Sequence, residues 1–253
     1  MRGVLLVVPI FLLAAFSVPA QSVSISKEIS FLAADSLKIY GDLYHVDHQR
    51  PVILLFHQAR ANGRAEYGEL VRTLLDKNYN LLILDQRSGG QVFGNYNRTV
   101  AEIPLNRYGY CDAYQDLEGA LDFIIDQGYR GEKIIWGSSY SAALVIKLAY
   151  NRPQDVAAVL AFSPASGEPM AGCQPNDLLE HITTPLLILR PERETSNPSV
   201  QTQLKLADTH GHKTYVVENG VHGSSMMIAS RVKDDVSQQW KVVHEFIDQH
   251  TKP

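Results

Sequence analysis

The chain has 253 residues, 45% of them hydrophobic and 20% charged, with a formal net charge of −4. This is ordinary for one globular α/β domain with a large core. Neither the slight acidity nor the spread of Lys and Arg points to a polyanion, so a nucleic-acid partner is not expected.

The first segment differs from the rest. Arg2 precedes the apolar run Val4 to Phe16, and Ser17-Val18-Pro19-Ala20 follows. A charged start, a short apolar stretch and small residues at Val18 and Ala20 predict a signal peptide over 1–20, with the mature chain starting at Gln21. The apolar run is shorter than the ~20 residues of a membrane span, so no stable anchor is expected after cleavage. An uncleaved anchor is the competing reading. The expected location is secreted or periplasmic. Cys111 and Cys173 are the two cysteines. An even count in an exported chain permits a disulfide, the alternative being two separate thiols.

Residues 21–253 read as a single domain without repeats or linkers. Ile29 to Ala34 and Lys38 to Tyr44 form an expected antiparallel hairpin. Val52 to Phe56 is a continuous apolar run, as in a strand buried on both faces. Tyr67 to Lys77 has helical spacing through Leu70, Val71, Leu74 and Leu75. Leu81 to Leu84 is the next buried strand. A polar, flexible strand exit, Asp85 to Gly90, leads into a long loop that reaches Tyr110. Its aromatics, Phe93, Tyr96, Tyr108 and Tyr110, either line a cleft or pack the loop down. Tyr114 to Asp126 is a helix with Leu117, Leu121, Ile124 and Ile125 as its buried stripe.

Lys133 to Trp136 is a strand that runs into Gly137-Ser138-Ser139-Tyr140-Ser141, and a helix continues to about Tyr150. Gly137 and Ser141 flank Ser139 at −2 and +2, where a tight strand-to-helix reversal leaves little room. Ser139 would sit at the apex with its hydroxyl exposed, and the Tyr140 N–H would open the helix without a partner. Ser141 stands where the usual pattern has a second glycine. The plain alternative is a strand ending in a Ser/Gly-rich helix cap. Further strands are expected at Val156 to Phe162, Pro185 to Leu189 and Thr214 to Val217. Helices are expected at Pro198 to Ala207 and Asp234 to Gln249. Alternating strands and helices after a hairpin mean a mostly parallel sheet of about eight strands covered on both faces.

Ligands of open parallel sheets bind beyond the strands' carboxyl ends. His57-Gln58-Ala59 follows the strand at 52–56, Ser139 the strand at 133–136, Arg190 to Glu194 the strand at 185–189, and Glu218 to Gly223 the last strand. A serine, an acid and a histidine therefore sit at three strand ends in the order Ser…acid…His. With these motifs the chain resembles the α/β-hydrolase superfamily, in its small exported serine-hydrolase form, esterase-like or similar to prolyl-oligopeptidase domains. The resemblance covers essentially all of 21–253 and implies the α/β-hydrolase fold. Residues 163–184 are too few for a large cap domain.

The resemblance implies a Ser-His-Glu triad. Ser139 would be the nucleophile and His222, in a glycine-flanked loop, its base. Glu194 sits where the family usually places Asp, and Glu192 competes with it. Tyr140 N–H is one expected oxyanion donor. Ala59, two residues past His57, is the other, with Gln58 as second choice; His57 itself would be structural. The implied activity is hydrolysis of a small-molecule carboxylic ester through an acyl-enzyme. A short peptide substrate and a non-catalytic binding protein of the same fold are the alternatives. No zinc-ligand spacing and no phosphate-cradling glycine motif occurs, so no metal or cofactor is expected.

Overall fold

The computed structural model describes residues 26–104 and 107–251. The expected signal peptide lies outside the described residues. Eight strands form one sheet: β1 (Lys27–Leu32), β2 (Lys38–Tyr44), β3 (Val52–Phe56), β4 (Asn80–Asp85), β5 (Lys133–Ser138), β6 (Ala158–Phe162), β7 (Leu186–Pro191) and β8 (Lys213–Val217). Their spatial order is β1-β2-β4-β3-β5-β6-β7-β8. β2 pairs antiparallel with β1 and β4, and the remaining neighbours are parallel. The sheet is thus mostly parallel, as the sequence implies.

Among the described residues, eight α-helices cover it: α1 (Gly63–Tyr67), α2 (Val71–Leu75), α3 (Arg98–Ala101), α4 (Tyr114–Asp126), α5 (Tyr140–Asn151), α6 (Pro198–Thr209), α7 (Ala229–Val232) and α8 (Ser237–His250). The alternation of side chains along each strand sorts the core into two layers. Leu54 and Phe56 of β3 pack with Leu117 and Leu121 of α4 and Leu144 of α5. Ile53 and Leu55 of the same strand pack with Leu70, Leu74 and, from α8, Val243, Phe246 and Ile247. Every residue of β3 and β4 is buried, which is why both read as unbroken apolar runs.

Several boundaries differ from the sequence reading. The first strand ends at Leu32, where a turn closed by Ser36 N–H on the Ala33 carbonyl reverses the chain. The single helix expected from Tyr67 is two short helices joined by a 3-10 turn at Gly68–Leu70. It starts earlier because the Asn62 side chain caps Ala65 N–H. The loop after β4 contains α3, capped in the same way by Asn97 on Val100 N–H. The Asp85 exit is buried and paired. Asp85 is fully buried and accepts from Gly63 N–H at 2.9 Å and Arg98 Nε at 2.6 Å. Arg98 also binds Asp42, and Arg87 binds Asp116 and Asp35. Buried charges require such pairing.

Residues 163–185 contain two single-turn 3-10 helices, Glu168–Met170 and Asn176–Leu178, and no separate cap. Cys111 and Cys173 are joined by a disulfide, which ties the start of the α4 segment to this loop. Among the described residues, no helix is long and apolar enough to cross a membrane.

Candidate active site

β5 ends at Ser138, and Ser139 alone makes the turn into α5. Its backbone adopts φ 59°, ψ −116°, a sparsely populated conformation for a residue with a side chain. Four backbone bonds hold it there: Ser139 N–H on the Phe162 carbonyl at 2.8 Å, and Ala142, Ala165 and Ala143 N–H on the Ser139 carbonyl at 3.1, 3.1 and 3.4 Å. Gly137 is required by space, because a Cβ there would come within 2.5 Å of the Ser141 carbonyl oxygen. Ser141 has a use a second glycine lacks. Its hydroxyl donates to the His57 carbonyl at 2.6 Å and accepts from the Gln86 side-chain amide at 2.9 Å. It pins the elbow helix to the ends of β3 and β4.

The apex hydroxyl meets the histidine. Ser139 Oγ lies 2.9 Å from His222 Nε2, and His222 Nδ1 lies 2.6 Å from Glu194 Oε1. These three side chains come from the ends of β5, β7 and β8. The glycine-flanked His222 loop is anchored. It runs directly into a 3-10 turn, Gly223–Met227, whose N–H groups are anchored. Gly223 N–H donates to Ser163 Oγ at 3.1 Å, and Ser224 N–H donates to Ser138 Oγ at 2.9 Å. Gly223 has φ 65°, and a Cβ there would sit 2.4 Å from Ser138 Oγ. Only glycine permits this approach.

Glu194 is well furnished. Besides His222 it accepts from Arg190 Nη1 at 2.8 Å and from the Ser163 hydroxyl at 3.2 Å. Burial alone would raise its carboxyl, but the bonds from His222 and Arg190 outweigh that and hold it at about 2. It is therefore ionised throughout the neutral range. Glu192, the competing acid, is exposed. Arg190 is itself buried, held by the Pro164 carbonyl and Gln203.

The turn after β3 separates the two candidate amides. Gln58 N–H points into the protein and donates to Glu66 Oε2 at 2.7 Å. That removes the second-choice donor, since an amide spent on a carboxylate cannot serve an oxyanion. Ala59 N–H and Tyr140 N–H have no hydrogen-bond partner among the described residues. His57 is fully buried, its Nε2 accepting from Gln86 N–H at 2.9 Å and its Nδ1 donating to the Gln58 carbonyl at 2.8 Å. Burial pushes this imidazole down, which keeps it neutral, and the bonds from Gln86 N–H and to the Gln58 carbonyl fix the tautomer.

Of the loop aromatics, Tyr110 stacks on Tyr140 at 4.9 Å. Tyr108 and Tyr110 line a cavity of about 400 Å³ with Arg60, Arg87 and Arg107. Phe93 and Tyr96 are exposed, with the Arg231 guanidinium 3.8 Å above the Phe93 ring. Among the described residues, no cluster of His, Cys, Asp or Glu is arranged to hold a metal ion.

No family model matches the chain, and no curated protein sequence does. Solved structures do. An esterase of Pyrococcus furiosus is 16% identical, with TM-score 0.69 over 95% of this chain and 96% of the esterase. An α/β-hydrolase from Penicillium is 13% identical, with TM-score 0.71 over 89% of this chain and 99% of that one. The chain has the α/β-hydrolase fold. An acylaminoacyl peptidase of Pyrococcus horikoshii, 16% identical with TM-score 0.67, shares this fold over 90% of this chain but only 42% of its own length. In this α/β-hydrolase-fold chain, reading the sequence missed Ser163, Ser138, Arg190 and Glu66. Each supports the site from a neighbouring strand end or helix. Ser163 and Arg190 carried a weak signal, because both directly follow or end an apolar strand run.

Proposed function

We propose that this chain is a serine hydrolase that cleaves a carboxylic ester through an acyl-enzyme. The observation that carries this reading is the continuous relay from Ser139 Oγ through His222 to Glu194, at 2.9 and 2.6 Å, on a strained elbow. A serine hydroxyl is a weak nucleophile at neutral pH and needs a base within hydrogen-bond reach. His222 Nε2 takes the Ser139 proton as Oγ bonds to the substrate carbonyl carbon. The ionised Glu194 holds the Nδ1–H tautomer and stabilises the imidazolium. Tyr140 and Ala59 N–H receive the developing oxyanion, each worth roughly 3 kcal/mol of barrier in comparable sites. His222 then gives its proton to the departing alcohol, and a water activated by the same imidazole releases the acid.

The Cys111–Cys173 bond supports an oxidising location, as such bonds are uncommon in reducing compartments. It agrees with the proposal of a cleaved signal over 1–20 and a secreted or periplasmic mature protein. Ester chemistry is tested with p-nitrophenyl esters of increasing acyl length beside dipeptide anilides. Turnover of the esters with the anilides untouched is expected. Preferential anilide cleavage would make the protein a peptidase, and turnover of neither would favour a binding protein of this fold.

A further inference from the structure

One buried carboxyl next to the site has no step in that mechanism. Glu66, on α1, is fully buried. Its Oε2 accepts the Gln58 N–H, and its Oε1 has no hydrogen-bond partner. Burying a carboxyl is costly even where a backbone amide and the Ser138 hydroxyl favour its charge. The cost has a counterpart in the turn after β3. Two successive amides, Gln58 and Ala59, are available at the strand end, and Glu66 draws the first inward. The second is left without a hydrogen-bond partner among the described residues.

Three segments meet around this carboxyl. The turn contributes Gln58, the end of β5 contributes Ser138, and the His222 loop reaches it through α7. Arg231 of α7 donates to the Ala65 carbonyl and to the Ser225 hydroxyl, which locks α1 to that loop. The titratable or charged groups facing Glu66 are Arg231 from α7, His222 from its loop, Tyr140 from α5 and Tyr67 from α1 itself.

We propose that Glu66 is a positioning residue for the oxyanion turn: its carboxylate fixes the Gln58 peptide inward, so that the Ala59 amide is the one presented to the substrate. This rests on the hydrolase reading above and goes beyond it, because it assigns the orientation of the donor to a residue that never touches substrate. Burial pushes the Glu66 carboxyl up to about 7, against the Ser138 hydroxyl, the Gln58 amide, Arg231 and His222, which favour the ionised form. The grip on Gln58 is therefore pH-dependent. Above neutrality the bond is charge-assisted and roughly twice as strong as its neutral counterpart. Below neutrality the carboxyl is protonated and the grip loosens.

The test compares wild type, Glu66→Gln and Glu66→Ala with p-nitrophenyl butyrate across the neutral range. Glu66→Ala removes the acceptor, and kcat is expected to fall about 10- to 100-fold with KM within about threefold. Glu66→Gln keeps an oxygen acceptor but no charge. Its kcat is expected about 3- to 10-fold below wild type near pH 8.5 and equal to wild type near pH 6, where wild-type Glu66 is also neutral. A residue that only fills space would give a ratio independent of pH. Wild-type kcat in Glu66→Ala, or a constant ratio for Glu66→Gln, overturns the proposal; if the alanine variant does not fold, the glutamine ratio decides. The Gln58 amide resonance, followed by NMR against pH, needs no turnover. It is expected to titrate near pH 7 in wild type and to stay flat in Glu66→Gln. A Gln58 resonance that is the same in wild type and in Glu66→Ala overturns the contact itself. A titrating resonance in a protein that hydrolyses nothing sinks only the functional reading.

Discussion

Replacing Glu194 by Gln tests how the acid is held, and its size follows from the structure. The carboxylate accepts from His222, Arg190 and the Ser163 hydroxyl, and it is depressed from 4.5 to about 2 in spite of burial. At about 1.36 kcal/mol per pH unit, that depression is worth roughly 3 kcal/mol of folding stability. The folded value lies below the unfolded one. The contribution is therefore complete above about pH 4.5 and disappears as pH falls toward about 2. A glutamine cannot ionise, and its amide sets an N–H against a donor of Arg190 or His222. Glu194→Gln is expected to be less stable than wild type by roughly 3 kcal/mol near pH 7. The gap should close between about pH 4.5 and 2, where wild type itself becomes protonated. Urea denaturation followed by tryptophan fluorescence at several pH values measures this, with the buried Trp136 as reporter. A gap that stays constant down to about pH 2.5 would refute the reasoning, because it would mean that the carboxylate's charge is not what these donors stabilise. The same variant should lose about 10⁴-fold in kcat, through loss of the imidazole tautomer.

Two further perturbations probe the elbow and the loop behind it. Gly137→Ala drives a methyl to 2.5 Å from the Ser141 carbonyl, a backbone atom that moves only with the nucleophile turn. It should cost about 1–3 kcal/mol of stability and most of the proposed hydrolytic activity, the first read from a denaturation curve and the second from a p-nitrophenyl ester assay. Reducing the Cys111–Cys173 bond opens a loop with a sequence separation of 62. Chain entropy assigns that closure roughly 4 kcal/mol, so the urea midpoint should fall clearly in dithiothreitol. An unmoved midpoint would mean the thiols are not joined in solution.

How far the sequence reaches is visible at particular residues. β3 was legible because both its faces are buried, and α4 because one face is: Leu117, Leu121 and Ile124 of the expected stripe are buried, whereas Ile125, near the helix end, is exposed. The order of Ser139, Glu194 and His222 was legible because each follows a strand run. What stayed hidden depends on partners distant in the chain. Asp85 reads as a polar strand exit until Arg98 and Gly63 N–H are seen to close on it. Glu66 precedes the helical spacing that starts at Tyr67 and carries no signal of its own until the Gln58 amide is found 2.7 Å away. Ser141 reads as a defect in a glycine motif, whereas its hydroxyl bridges His57 and Gln86. Patterns along one element reveal burial, but not which polar atom meets which across the fold.

The account stands most directly on whether Ser139 is an activated nucleophile. A fluorophosphonate probe followed by peptide mass spectrometry measures this on the intact protein. The account predicts a single phosphonyl adduct on Ser139, absent from Ser139→Ala and strongly slowed in a His222→Ala variant. A folded wild-type protein that remains unlabelled, or carries the adduct on another residue, would contradict it.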